Sequence, residues 1–294
     1  MIDNLYLNIG AMKAGTTWLF SHLEHHPDIH FSEEKEVHYF AHVDSYRNPL
    51  GDHQRLNGLR DYVGSAIFDS VSFDKYMDKL DWYVNYLRGP VDDVWYERLF
   101  SGRRSERYCA DFSNLYAHLD GNGWDHVKSV ARNLKVTYIM RHPLHRLWSH
   151  VKFHTRITGE YEQMLEWNDE QFADMVLKAF IWDNTEYSRV VRSMQENLEP
   201  NQMQILFFED IHTNPKKALR DLEGFLKIGR HAYNDNALSQ KVNVSPSISL
   251  PVAFEDQFRP KLAAEARELE ALGVSLPESW LDLFQEIRQV ESED

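Results

Sequence analysis

Ile2-Asp3-Asn4-Leu5-Tyr6-Leu7-Asn8-Ile9-Gly10-Ala11-Met12-Lys13-Ala14-Gly15-Thr16-Thr17 reads as a strand, a turn and the start of a helix. Ile2 to Ile9 is an apolar run with β-branched and aromatic residues, as in a buried strand. Gly10 to Gly15 is the turn. Thr16 to His25 follows as a helix with Thr16 and Thr17 near its start, and Pro27 ends it. The composition of the turn suits an anion: glycines let the backbone approach, the open helix N–H groups donate, and Lys13 adds a point charge. The turn is P-loop-like without being a Walker A loop, because Lys13 precedes the second glycine instead of following it. Taken alone, it also fits a glycine-rich connection with a solvated lysine.

Outward from this stretch, Val136 to Met140 and Gln204 to Phe208 read as two more buried strands, and Tyr108 to Phe112 as a short one. Helical spacing covers Phe73 to Leu87, Trp124 to Asn133, the run from Pro143 towards Thr155, Phe172 to Asn197 in two pieces, and Asp256 to Leu272. Pro215 to Leu226 is a helix capped by Asn214. Phe31 to Phe40 is expected to be partly extended, and Arg230 to Leu250 to be a long loop. Strands alternating with helices predict one α/β domain over residues 1–294, with a central, mainly parallel sheet flanked by helices. The ligand crevice should lie beyond the C-terminal ends of the strands.

Arg141-His142-Pro143-Leu144-His145-Arg146-Leu147-Trp148-Ser149 follows the second strong strand. With a helix starting at Pro143, Arg141 stands at the strand end and Ser149 two turns along. An arginine fork and a hydroxyl could then hold one phosphate. The plainer reading makes Arg141 and Arg146 surface or helix-capping charges.

Together the two segments resemble the 5′-phosphosulfate loop and the 3′-phosphate motif R-x-P-x-x-R-x-x-S of sulfotransferases that use PAPS (3′-phosphoadenosine 5′-phosphosulfate). The resemblance implies that Gly10, Ala11, Met12, Lys13, Ala14, Gly15, Thr16 and Thr17 cradle the 5′-phosphosulfate, and that Arg141 and Ser149 hold the 3′-phosphate. Phe207-Phe208-Glu209-Asp210-Ile211, with Asn214-Pro215 and its helix, is similar to a third block of that family. Lys241, Val242 and Asn243 resemble its nucleotide-covering loop. Glu34-Lys35-Glu36-Val37-His38-Tyr39-Phe40, with Asp81-Trp82-Tyr83, resembles the heparan sulfate sulfotransferase branch, in which the glutamate matching Glu36 is the catalytic base. Two departures separate the chain from that branch. A membrane anchor is missing, and in the stretch matching E-K-[ST]-P-x-Y (Ala110 to Asn114, then Tyr116) Asp111 stands in place of the lysine. Soluble bacterial-type relatives are the safer comparison, with a small-molecule, lipid or carbohydrate acceptor.

By the same resemblance Lys13 would neutralise charge on the leaving oxygen and Glu36 would take the acceptor's proton. His38 lies two residues from Glu36. On an extended segment the two share a side, so the base stays open between them. PAPS is already activated, and no metal is expected.

The formal net charge of −14 argues against nucleic-acid and anionic-membrane partners, and makes a highly sulfated polymer a poor acceptor. A single cysteine, Cys109, excludes an internal disulfide and predicts a cytoplasmic, reduced setting. The N-terminus shows no signal peptide, and no window resembles a membrane span. Oligomeric state leaves no trace in the sequence. Histidines pair at helical spacing (22 and 26, 38 and 42, 150 and 154) without forming H-E-x-x-H, so they are expected at the surface or in packing. Trp82, Tyr83, Tyr86, Trp95 and Tyr96 fit a core better than an acceptor pocket. Two other functions remain on the sequence alone: a P-loop nucleotide kinase, and a catalytically silent PAP-binding relative.

Overall fold

The computed structural model describes residues 1–44, 49–65, 73–238 and 248–284. Its centre is a five-stranded, all-parallel sheet in the order β2-β3-β1-β4-β5. The strands are β1 (Ile2–Asn8), β2 (Ile29–Phe31), β3 (Tyr108–Phe112), β4 (Ala131–Met140) and β5 (Met203–Phe207). β1 is the middle strand, and Leu5, Tyr6 and Leu7 are buried although consecutive side chains point to opposite faces. Covering both faces of a sheet produces this continuous burial.

Helices flank the sheet: α1 (Thr16–Leu23), α2 (Tyr39–Val43), α3 (Asp52–Ser65), α4 (Phe73–Leu87), α5 (Asp93–Arg98), α6 (Gly121–Val130) and α7 (Pro143–Thr158). Beyond α7, the main helices are Tyr187–Asn197, Pro215–Leu226 and Val252–Ala271. Pro143 opens α7, where its fixed φ and missing N–H cost nothing, and Gly159 closes it at φ 78°. The Asn214 side chain accepts from Lys217 N–H, the expected cap.

Several elements differ from the sequence reading; the helix expected over Trp124 to Asn133 stops at Val130, where β4 takes over from Ala131. β2 is a three-residue strand paired to β3, too short to show a period. After Phe31 the chain leaves the sheet, so the segment to Phe40 is a loop running into α2 and not a strand. α3 was not foreseen because it is polar nearly all round. Its one buried residue is Arg55, which donates to the carbonyls of Leu50 and Tyr86.

The strand order sets the position of the site. The chain leaves β1 towards β2 and leaves β4 towards β5, in opposite directions, so β1 and β4 flank a topological switch point. In parallel sheets this is where ligands find a crevice.

Candidate active site

Three neighbouring strands each deliver one part. β1 runs into the Gly10–Gly15 turn, β4 into Arg141, and β3 into Ser113 and Asn114, which hold the Glu36 loop. Pairing continues past the end of β1: Ile9 N–H donates to Thr137 O at 3.0 Å, and Ala11 N–H to Ile139 O at 2.8 Å. The turn is thus fixed to β4 two residues before Arg141.

Within the turn, Gly10 (φ 125°), Lys13 (φ 68°) and Gly15 (φ 94°) take left-handed backbone. A Cβ at Gly15 would also meet Phe208 Cδ2 at 3.0 Å, so glycine is required there on two counts. α1 starts with no side-chain cap and no acid in its first turn. Its first N–H groups and the positive end of its dipole are left for another acceptor.

Lys13 lies with its ammonium 4.2 Å from the centre of the Phe153 ring. Burial, then the charges of Arg141, Arg156, Lys152 and Lys35, hold its pKa below the usual lysine range. Arg141 Nη1 donates to Lys13 O at 3.3 Å, and its guanidinium lies 4.5 Å from the Phe208 ring centre. Tyr187 OH fixes the Arg141 carbonyl at 2.9 Å. Burial lowers the pKa of Arg141 and of Lys152 as well. Among the described residues neither Lys13 nor Arg141 ion-pairs with a carboxylate. A chain of net charge −14 therefore gathers cations around this one turn. Local field and net charge have opposite signs here.

Ser149 is nearly buried on α7. It stands four residues before Phe153, so it shares the face of the helix that meets Lys13. Arg146 points elsewhere. It is fully buried, donating to Thr185 Oγ1 at 2.6 Å and to His150 Nδ1 at 3.1 Å. Burial and the Arg146 charge push the His150 pKa down to about 2, which keeps that ring neutral and able to accept. Arg146 is neither a surface charge nor a cap, contrary to the plainer reading.

Glu36 and His38 come together, though not through an extended segment. Both have left-handed backbone, at φ 66° and 60°. Glu36 N–H donates to Phe112 O at 2.9 Å, and His38 N–H to Ser113 Oγ at 2.9 Å, so the loop is stitched to the end of β3. The carboxylate takes Asn114 N–H on Oε2 at 2.8 Å and Lys35 Nζ on Oε1 at 2.8 Å; His38 Nε2 lies 3.6 Å from Oε2. Lys35 Nζ also donates to Thr16 Oγ1 at 3.3 Å, which ties this carboxylate to the first residue of α1.

The sequence reading missed Lys35 and Asn114. Lys35 sits among Glu33, Glu34 and Glu36 and reads there as part of a solvated charge run. Asn114 acts through its backbone, which no residue type announces.

Asp111 does not open into the site. It is fully buried on β3, accepting from Ser113 Oγ at 2.6 Å, Tyr116 OH at 2.6 Å and Tyr96 OH at 3.1 Å. Burial pushes its pKa up to about 6 against the pull of these hydroxyls. Trp82, Tyr83, Tyr86 and Trp95 are buried and packed against one another, and Tyr96 is buried against Tyr39 and Phe40, as core. His22 stacks on Trp18, and His26 bonds Gly229 O. Among the described residues no three of His, Cys, Asp and Glu gather as a metal cage, and no helix is long and apolar enough to cross a membrane. Lys241, Val242 and Asn243 lie outside the described residues.

The sulfotransferase family model matches residues 8–235, a span holding the turn, Glu36, Arg141 and Ser149. Carbohydrate sulfotransferase 15 of Rattus norvegicus is 23% identical over 273 residues, covering 79% of this chain and 45% of that protein. The Mus musculus protein of the same name is 22% identical with the same coverage. The chain thus spans less than half the length of these curated relatives. Among solved structures, a sulfotransferase from Alicyclobacillus acidocaldarius superposes with a TM-score of 0.65 at 20% identity, over 95% of this chain and 99% of the other. The sulfotransferase domain of the Synechococcus PCC 7002 olefin synthase gives 0.54 at 17% identity, over 94% and 96%. These likenesses show the same fold. The family match sets the nucleotide-kinase alternative aside: the chain belongs to the sulfotransferase family.

Proposed function

We propose that the chain moves a sulfuryl group from PAPS to a hydroxyl or amine of a small-molecule, lipid or carbohydrate acceptor. The observation that carries this reading is that the uncapped turn after β1 and Arg141 after β4 are fixed side by side, as two candidate anion seats. The Gly10–Thr17 turn offers open helix N–H groups and Lys13, and Arg141 reaches across to the Lys13 carbonyl. A donor with two separated anionic ends suits two seats: the 5′-phosphosulfate on the turn, and the 3′-phosphate on Arg141 and Ser149.

Transfer is in line. The acceptor oxygen or nitrogen bonds to sulfur while the bond from sulfur to the 5′-phosphate oxygen breaks. Lys13 neutralises the charge growing on that oxygen; preorganised help of this kind is worth about 3–4 kcal/mol. The acceptor's proton passes to Glu36, giving PAP and the sulfated acceptor. His38, 3.6 Å from that carboxylate, orients it or the acceptor. A carbohydrate hydroxyl comes first among acceptors to try, since the curated relatives are named carbohydrate sulfotransferases. No step requires a metal. A buried lone Cys109 agrees with a reducing, cytoplasmic setting.

A thermal-shift comparison tests the donor. PAP should raise the melting temperature well above AMP or ATP, because only PAP fills both seats. Equal shifts from the three nucleotides would overturn the two-seat reading.

A further inference from the structure

Lys35 takes no part in the transfer as described, yet it touches both halves of the site. Its Nζ bonds Glu36 Oε1 at 2.8 Å and Thr16 Oγ1 at 3.3 Å. Its acidic neighbours are engaged on the opposite side, with α4. Glu34 accepts from Tyr83 OH at 2.6 Å and pairs with Lys79 at 3.0 Å, and the Glu33 carbonyl accepts from Lys79 at 3.1 Å. Lys35 is therefore the cation of this acidic run that faces α1.

Thr16 is the first residue of α1, whose uncapped N-terminus faces the anion seat. An anion bound there competes with Glu36 for the same ammonium. The pair is partly solvent-accessible, with side chains 21% and 28% exposed, so exchanging one negative partner for another is cheap. Glu36 gains from the exchange: an oxygen that holds no ammonium has its lone pair open to a proton.

We propose that Lys35 couples donor binding to the base. It rests on Glu36 and moves onto the 5′-phosphosulfate oxygens beside Thr16 when the donor arrives, releasing the carboxylate. This inference rests on the assignments of PAPS as donor and Glu36 as base.

The test is calorimetric titration of PAP into the wild type, Glu36→Gln, Lys35→Met and the double variant. If Lys35 must leave Glu36 to meet the 5′-phosphate, Glu36→Gln frees it in advance. PAP should then bind about two- to fivefold more tightly, the worth of a partly exposed ion pair. With methionine at 35, Glu36→Gln should change PAP affinity by less than about 1.5-fold, since little coupling remains between non-interacting positions. Lys35→Arg should restore the tightening. Equal tightening in both backgrounds would show that Glu36 acts only through its field, and no tightening in either would show that Lys35 stays on Glu36; each overturns the coupling. Lys35→Ala repeats the measurement should the methionine variant fold poorly. PAP that binds the wild type no better than AMP would sink the donor reading itself, whereas tight PAP binding without coupling removes this inference alone.

Discussion

Asn114 N–H donates to Glu36 Oε2 at 2.8 Å, so the residue just past the end of β3 holds the carboxylate that the proposed transfer uses as its base. A backbone donor cannot rotate away as a side chain can. The carboxylate is anchored on Oε2 by this N–H and on Oε1 by Lys35, with the Asn114 amide at 3.4 Å from the same Oε1.

Glu36→Gln keeps the shape and the Asn114 contact but removes the proton acceptor. Turnover at saturating PAPS should fall about 10²- to 10⁴-fold, the usual worth of a general base, while PAP binding survives. His38→Ala should lose less, because its ring stands 3.6 Å behind the same oxygen. Steady-state rates of both variants across pH decide the order. A nearly active Glu36→Gln beside a dead His38→Ala would move the base to His38.

Lys13 and Arg141 share a hydrogen bond but should fail differently. Lys13→Ala should cost at least about a hundredfold in turnover, because its help is largest in the transition state, with a smaller loss of PAP affinity. Arg141→Ala should act on donor affinity, since the 3′-phosphate does not react, and near-normal rates should return at saturating PAPS. Equal losses of PAP affinity and turnover in Lys13→Ala would reduce Lys13 to an anchor.

The sheet and the Gly10–Gly15 turn were legible because β1 and β4 are buried on both faces and the turn is bounded by glycines. β2 escaped because three residues hold no period, and α3 because its faces are alike in polarity. The site was legible only as far as residue type goes. Lys13, Glu36 and Arg141 announce their charge, whereas the tie from Lys35 to Thr16 joins residues 19 apart through a loop whose left-handed turns no pattern foretells. Asp111 shows the opposite failure. Read as a replacement within the site, it is a buried partner of three hydroxyls.

His126 bridges two carboxylates, Asp44 at 2.8 Å and Asp93 at 2.7 Å, so both ring nitrogens must donate and the ring must be charged. Burial pulls its pKa down, but the bonds to Asp93 and Asp44 outweigh this and raise it above the usual histidine value. The contribution to stability is complete below the unfolded value and is lost as pH rises through the raised one. His126→Gln should therefore cost about 1 kcal/mol near pH 6 and much less near pH 9. Chemical denaturation at the two pH values checks it, and a cost independent of pH would mean the bridge is not ionic.

Asp111 carries the same sign for a different reason, since burial raises its pKa to about 6. The fold favours its neutral form, so this contribution is present below the ordinary carboxylate range and fades as pH rises through about 6. The melting temperature of the wild type, compared with Asp111→Asn, should move in favour of the wild type as pH falls from about 7 to about 5. Parallel profiles would show that Asp111 does not titrate in this range.

Incubation with PAPS radiolabelled in its sulfuryl group, against a panel of carbohydrate, lipid and small-molecule acceptors, tests sulfuryl transfer most directly. The wild type should release PAP and place the label on at least one acceptor, and Lys13→Ala, still binding PAP, should do so at least about a hundredfold more slowly. Label that stays on PAPS across the panel, with PAP bound no better than AMP, would contradict the account.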